Sequence, residues 1–109
     1  MIYVFLILAI LTEVTATLLL KASNGWEKWW FGMGAIVFYS IAGMILAFVL
    51  KSMNVGLAYA IWSGVGIALV CVASVFIWQQ KFDIYALTGV LLIVVGTGLI
   101  TLKSNVVLQ

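Results

Sequence analysis

Histidine and proline are absent from this chain of 109 residues, and cysteine occurs once, at Cys71. Without histidine, and with a single thiol, the chain has no thiol–imidazole pair, no intramolecular disulfide and no cysteine–histidine metal cluster. Cys71 lies in an apolar run, where we interpret it as a small buried hydrophobic residue. We therefore predict no enzyme activity, no metal and no cofactor.

Charged residues are also scarce. Five basic and three acidic residues make up 7% of the chain, whereas 67% is hydrophobic and the mean hydropathy is +1.34. A soluble domain of this size needs a charged surface, so the composition predicts an integral membrane protein. The net charge of +2 is spread over loops and chain ends, and it forms no basic patch of the kind that binds nucleic acid.

Four apolar stretches are separated by short polar breaks, and each reaches the ~20 residues that a membrane-spanning helix needs. None alternates in polarity as the strands of a membrane barrel do. The sequence thus predicts an all-α membrane protein with one four-helix transmembrane domain over residues 1–109. The predicted helices run at about 2–20, 29–50, 55–78 and 84–102.

The lysines give a weak orientation signal. An even number of helices places both termini on one side, together with Lys51 and Lys103, and leaves Lys21, Lys28 and Lys81 on the other. Two lysines against three is a small difference under the positive-inside rule. We therefore expect the chain to insert in both orientations, which is called dual topology.

Glu13 is a carboxylate inside an apolar span, in the run AILTEVTATLLLK at residues 9–21. It lies ~16 Å along its helix, near the middle of the bilayer. An ionised side chain there costs ~2.5–3.5 kcal/mol on insertion scales. All five lysines lie at helix ends or in loops, so a cationic partner within the chain is not expected. Glu13 is therefore predicted to hold either a proton or a cationic substrate, in competition. The alternative is a neutral glutamic acid that only hydrogen-bonds between helices.

Small residues flank Glu13 on its helix. Ala9 precedes it by four residues, while Ala16 and Thr17 follow it by three and four. Such a face leaves space around the carboxylate or lets another helix approach closely, and the sequence leaves both interpretations open.

An aromatic face is predicted on the third helix, in the run GLAYAIWSGVG at residues 56–66. Tyr59, Trp62, Ser63 and Gly66 share one side of this helix. Aromatic rings attract cations most strongly when both are desolvated, so Tyr59 and Trp62 are candidate cation ligands. Tyr39, in the second helix, is a weaker candidate of the same kind.

Glycines indicate where the helices bend or meet. Gly64 and Gly66 weaken the third helix locally and form a candidate hinge. Gly89 and Gly96, seven residues apart on the fourth helix, have the spacing of a close helix–helix seam. We therefore predict that the fourth helix holds a dimer together.

Over its whole length the chain resembles the small multidrug resistance family of bacterial inner-membrane transporters. The resemblance rests on the four spans, on Glu13 followed by valine, on the segment LLLKASNGW and on the run YAIWSGVG. It implies an antiparallel, dual-topology homodimer that exports lipophilic or aromatic cations in exchange for protons. Glu13 would bind substrate and proton in turn.

The resemblance also implies roles for other positions. Tyr59, Trp62 and Tyr39 would line the site, Gly66 would permit a bend, and Gly89 and Gly96 would pack the seam. The chain shows no internal repeat, so two copies inserted oppositely would supply the inverted symmetry that transporters commonly use.

Two positions separate subtypes within this family. The guanidinium-exporting subtype usually has tryptophan and serine where this chain has Ala16 and Ala42. The resemblance therefore favours export of quaternary ammonium compounds, with guanidinium export as an alternative. The chain departs from the usual pattern at Asn54, where proline is common, and at Thr12, where alanine or glycine is common.

Alternatives from other classes stay open to different degrees. A non-transporting membrane subunit would pair Glu13 with a basic residue of a partner protein, and a heterodimer is compatible with the sequence. A channel is disfavoured because polar residues are too sparse to line a hydrated pore.

Overall fold

The computed structural model describes residues 2–103; Met1 and residues 104–109 of the predicted domain lie outside the described residues. The secondary-structure elements of the described part are four α-helices: α1 Ile2–Ala22, α2 Trp29–Val49, α3 Val55–Trp78 and α4 Ile84–Lys103. Each is long and apolar enough to cross a membrane. The predicted all-α architecture is thus confirmed. Relative to the predicted bounds, α1 ends two residues later, α2 one residue earlier and α4 one residue later.

The chain divides into two compact units between Lys51 and Ser52. In the first unit α1 packs against α2, and in the second unit α3 packs against α4. Each unit is therefore a helical hairpin with its own loop and its own helix–helix contact. The single domain and the dimer both stay predictions.

The loop of the first hairpin is a tight left-handed turn. Asn24, Gly25 and Trp26 have positive φ angles of 52°, 66° and 74°. This region costs a non-glycine residue ~1–2 kcal/mol. The ring of Trp26 packs on the backbone of Gly32, where an added Cβ would overlap the ring. Ser23 closes the turn, because its carbonyl accepts a hydrogen bond from the N–H of Lys28 at 2.9 Å.

Asn54 begins α3 as its N-cap residue. Its side-chain oxygen accepts hydrogen bonds from the N–H groups of Gly56 at 2.7 Å and Leu57 at 3.2 Å. These are two of the donors that the first turn of a helix leaves without an intrahelical partner. Asn54 thus has a clear local role, although a proline is expected at this position from the family pattern.

Thr12, the second departure from that pattern, also has a local explanation. Its hydroxyl donates to the carbonyl of Leu8 at 2.7 Å, one turn earlier on α1. The polar group is therefore satisfied within its own helix, as a hydroxyl at membrane depth must be.

Replacing the N-cap residue is expected to weaken the second hairpin. Asn54→Ala should lower the free energy of unfolding by about 1 kcal/mol, because two N–H groups lose their acceptor. The measurement is an SDS titration in detergent, followed by helical circular dichroism. Asn54→Asp keeps the acceptor and should remain within a few tenths of a kcal/mol of the native protein. A similar loss in Ser52→Ala would show that the loop, and not the cap, is sensitive.

Candidate functional site

Glu13, Thr17 and Tyr39 form a continuous polar chain between α1 and α2. The hydroxyl of Thr17 lies 3.2 Å from the carboxylate Oε2 of Glu13 and 2.8 Å from the hydroxyl of Tyr39. It also lies 3.1 Å from the backbone carbonyl of Glu13. All three side chains are half-buried. The structure thus adds Tyr39 to Glu13 and Thr17, which helical spacing already places side by side.

Local geometry explains why this chain forms. Residues four apart on a helix lie one above the other, so Thr17 is placed directly beside Glu13. Tyr39 reaches the same point from α2, because small buried alanines let the two helices pack closely. Four of these alanines are at most 2% exposed: Ala9 and Ala16 on α1, and Ala35 and Ala42 on α2. The burial of Ala9 and Ala16 fits close packing, and their role in lining a substrate site stays a prediction.

The direction of the hydrogen bonds in this chain depends on the proton of Glu13. The Thr17 hydroxyl has one proton and can also accept. When Glu13 is ionised, Thr17 donates to the carboxylate and Tyr39 donates to Thr17. When Glu13 is protonated, the carboxyl can donate to Thr17, which then donates to Tyr39 or to the backbone. The hydrogen bonds among the three residues can therefore reverse direction when Glu13 gains or loses its proton.

The aromatic candidates of α3 belong to the second unit. Tyr59 exposes 62% of its surface, Ser63 is exposed and Trp62 is half-buried. The rings of Tyr59 and Trp62 are thus at least partly accessible on the described chain, as a ligand-binding role would require. This role stays a prediction.

The two glycines of the candidate hinge differ in their surroundings. An added Cβ at Gly64 would lie 2.7 Å from Cβ and 2.9 Å from Cγ2 of Thr97. At Gly66 the nearest heavy atom, Cδ1 of Trp62, is 3.9 Å away, which is an ordinary contact. Gly64 therefore allows α4 to pack closely on α3. Because α3 runs unbroken through both positions, the hinge stays a prediction.

The predicted seam on α4 faces open space. An added Cβ at Gly89 or Gly96 would meet no heavy atom within 4 Å among the described residues. Large apolar side chains on this helix are also exposed: Leu91 63%, Leu92 67%, Val95 59% and Leu99 59%. A second copy is thus not hindered from approaching here, and the seam itself stays a prediction.

Thr97 makes a polar contact between α4 and α3 that the sequence analysis does not identify. Its hydroxyl donates to the backbone carbonyl of Ala60 on α3 at 3.0 Å. The available signal was a hydroxyl between two glycines in an apolar span, since polar side chains in membrane helices commonly bond across to a neighbour.

Comparison with known proteins agrees with this architecture. Residues 1–93 match the family model described as Small Multidrug Resistance protein. The chain belongs to the small multidrug resistance family. The predicted family is thereby confirmed.

Relatives within the family cover almost the whole chain. The chain is 41% identical over 103 residues to the multidrug transporter EmrE of Escherichia coli strain K12, covering 94% of each protein. It is 40% identical to the quaternary ammonium compound-resistance protein QacE of Escherichia coli, again over 94% of each. It is 33% identical to the multidrug resistance protein EbrA of Bacillus licheniformis, over 93% of this chain and 96% of that protein.

Family membership also gives the location of the protein. The four apolar helices and the bacterial relatives make it a multi-pass protein of the bacterial inner membrane. The relatives carry the names of transporters and resistance proteins, in agreement with the prediction that the chain is not an enzyme.

Because the surroundings of Gly64 and Gly66 differ, an added methyl group should change the free energy of unfolding differently at the two positions. Gly64→Ala should lower the free energy of unfolding by ~1–3 kcal/mol, because the new methyl overlaps Thr97. Gly66→Ala, a matched change two residues away in the same helix, should have a smaller effect on stability. Both are measured by SDS titration of helical circular dichroism. An equal loss in the two variants would contradict the packing role of Gly64.

Proposed function

We propose that the protein is a proton-coupled antiporter that exports lipophilic and aromatic cations, quaternary ammonium compounds among them. Membership of the small multidrug resistance family supports a multidrug-resistance transporter in general. The names of EmrE and QacE support the substrate class. The observation that carries the coupling is the polar chain of Glu13, Thr17 and Tyr39 within membrane-spanning helices.

The first support for coupling of proton and cation transport is the kind of group that contacts the Glu13 carboxylate. The neutral hydroxyl of Thr17 hydrogen-bonds the Glu13 carboxylate. A hydroxyl can orient a carboxylate, but it does not neutralise the charge. In a membrane interior an ionised carboxylate is unfavourable, so binding of a proton or of a cation lowers its free energy. Because both occupy the same carboxylate, the two compete, and competition is the requirement for exchange.

The Thr17 hydroxyl supplies the second support. When a cation replaces the proton, the ionised carboxylate needs a hydrogen-bond donor at the same place. Thr17 provides it by turning its proton toward Oε2, and Tyr39 can then donate to Thr17. The site thus accommodates both forms of Glu13 without moving a backbone segment.

Substrate shape and charge follow from other positions. We assign Tyr59 and Trp62 to cation recognition through their ring faces. Ala16 and Ala42 are small where the guanidinium subtype of the resemblance has larger side chains, which favours bulky cations. Guanidinium is the alternative substrate. Comparing the binding of guanidinium with that of a quaternary ammonium compound distinguishes the two subtypes.

Alternating access requires more than one copy of so short a chain. We propose an antiparallel homodimer with α4 at the seam, because the apolar side chains and glycines of α4 are open on the described chain. Two copies inserted oppositely supply the inverted symmetry. A heterodimer would use the same surface with a different second chain.

Cation-driven proton release tests the exchange. Adding tetraphenylphosphonium to detergent-solubilised protein in weak buffer should release protons from the native chain, and Glu13→Gln should abolish the release. Glu27→Gln is the matched control, because Glu27 lies in the loop between α1 and α2 and bonds to Asn24. This variant should release protons normally.

The other outcomes of this experiment each exclude a part of the proposal. Release that survives in Glu13→Gln would mean that another group exchanges the proton. No release from the intact native protein, with either tetraphenylphosphonium or guanidinium, would favour a non-transporting subunit whose Glu13 pairs with a partner protein.

Removing the Thr17 hydroxyl should weaken cation binding. Thr17→Val takes a donor from the ionised carboxylate, so the Kd for tetraphenylphosphonium should rise by about 3- to 10-fold, measured by calorimetry. Thr17→Ser keeps the hydroxyl and should bind as the native protein does. Thr15→Val is the matched control, because the Thr15 hydroxyl donates to the Leu11 carbonyl of its own helix. An equal loss in Thr15→Val would contradict a specific role for Thr17.

A further inference from the structure

Thr97 connects α4 to α3 through a hydrogen bond that has a second acceptor close by. Its hydroxyl lies 3.0 Å from the carbonyl of Ala60 on α3 and 2.9 Å from the carbonyl of Ile93 on its own helix. A hydroxyl carries one proton, so it donates to either carbonyl or is shared between them. The bond to α3 can therefore form and break while the donor stays paired.

The acceptor on α3 occupies a special turn of that helix. In an α-helix the carbonyl of Ala60 is also the acceptor for the N–H of Gly64, four residues later. Gly64 lacks the Cβ that would collide with Thr97, so glycine at this position is what admits the hydroxyl. A side chain inserted on a helix carbonyl next to a glycine is an established cause of bending. Residues 60–64 are therefore the turn at which α3 is both held and weakened.

This turn carries the aromatic candidates of the second unit. Tyr59 precedes Ala60 directly, and Trp62 and Ser63 lie between Ala60 and Gly64. A bend at this turn would move these side chains relative to α4. Thr97, which is not among the site residues marked by the sequence, is thus in a position to govern them from the neighbouring helix.

We propose that Thr97 is a positioning residue that holds the turn at residues 60–64 against α4 through a releasable hydrogen bond. When Thr97 donates to Ala60, the turn is held. When it donates to Ile93, the turn is free to bend. In hydrocarbon an unpaired donor or acceptor is strongly unfavourable, because no water can replace the missing partner. Neither state incurs this cost, because Thr97 keeps an acceptor and Ala60 keeps the N–H of Gly64.

Thr101 provides an internal comparison. Its hydroxyl donates at 2.8 Å to the carbonyl of Thr97, within α4. It is a threonine of the same helix, one turn away, with a bond inside its own helix. Thr101→Val thus removes a hydroxyl whose hydrogen bond lies within α4, which isolates the effect of the bond between the helices.

Amide hydrogen exchange tests the held turn without reference to transport. In Thr97→Val, exchange of the amides of residues 61–66 should accelerate by about 3- to 10-fold, because opening of the turn no longer breaks a bond to α4. Thr97→Ser should restore the native rate, and Thr101→Val should leave it unchanged. Native rates in Thr97→Val, or equal acceleration in Thr101→Val, would overturn the proposal. If the valine variant does not fold, Thr97→Ala replaces it with the same expectations.

The consequence for exchange rests on the proposed antiport. In proteoliposomes, Thr97→Val should increase the turnover of tetraphenylphosphonium–proton exchange by about 3- to 10-fold while its equilibrium Kd stays within about twofold of native. Unchanged or slower turnover, or a larger change in Kd, would overturn the positioning role. If the native protein releases no protons, the antiport proposal fails, while hydrogen exchange still decides whether Thr97 holds the turn.

Discussion

The hydrogen bond between Thr17 and the Glu13 carboxylate is the central contact of the candidate site in the first hairpin. It places a neutral donor beside an acid at membrane depth, and this contact orients the carboxylate without neutralising its charge. The helix length puts Glu13 at that depth, and buried alanines let α2 approach closely enough for Tyr39 to complete the chain.

The number of helices was predictable because membrane spans are read from length and apolarity. The pairing of Glu13 with Thr17 was also within reach, because helical spacing alone brings them together. The meeting of Tyr39 with Thr17 was not. In helices that are apolar on all sides, the pattern does not mark which side faces the neighbour, so the rotation of α2 against α1 is not encoded in periodicity. The sequence does not distinguish Gly64 from Gly66 either, because only the position of Thr97 separates them.

In each hairpin the two helices are joined by a threonine hydroxyl in a similar way. In the first, Thr17 bonds to Tyr39 and lies within reach of the carbonyl of Glu13 on its own helix. In the second, Thr97 bonds to Ala60 and lies within reach of the carbonyl of Ile93 on its own helix. Each contact uses a hydroxyl that has an alternative acceptor one turn back. In an environment without water, this arrangement lets a bond between helices be exchanged without leaving a polar group unpaired.

The left-handed turn at Asn24–Trp26 determines how far α2 may vary in register against α1. With the Trp26 ring seated on Gly32, the start of α2 is located by a side chain as well as by chain connectivity. A slip of one residue would rotate α2 by about 100° and shift it by about 1.5 Å, which carries a tyrosine hydroxyl out of hydrogen-bonding range of α1. The length of this loop therefore constrains the polar chain: insertions that a surface loop normally tolerates would here separate Tyr39 from Thr17.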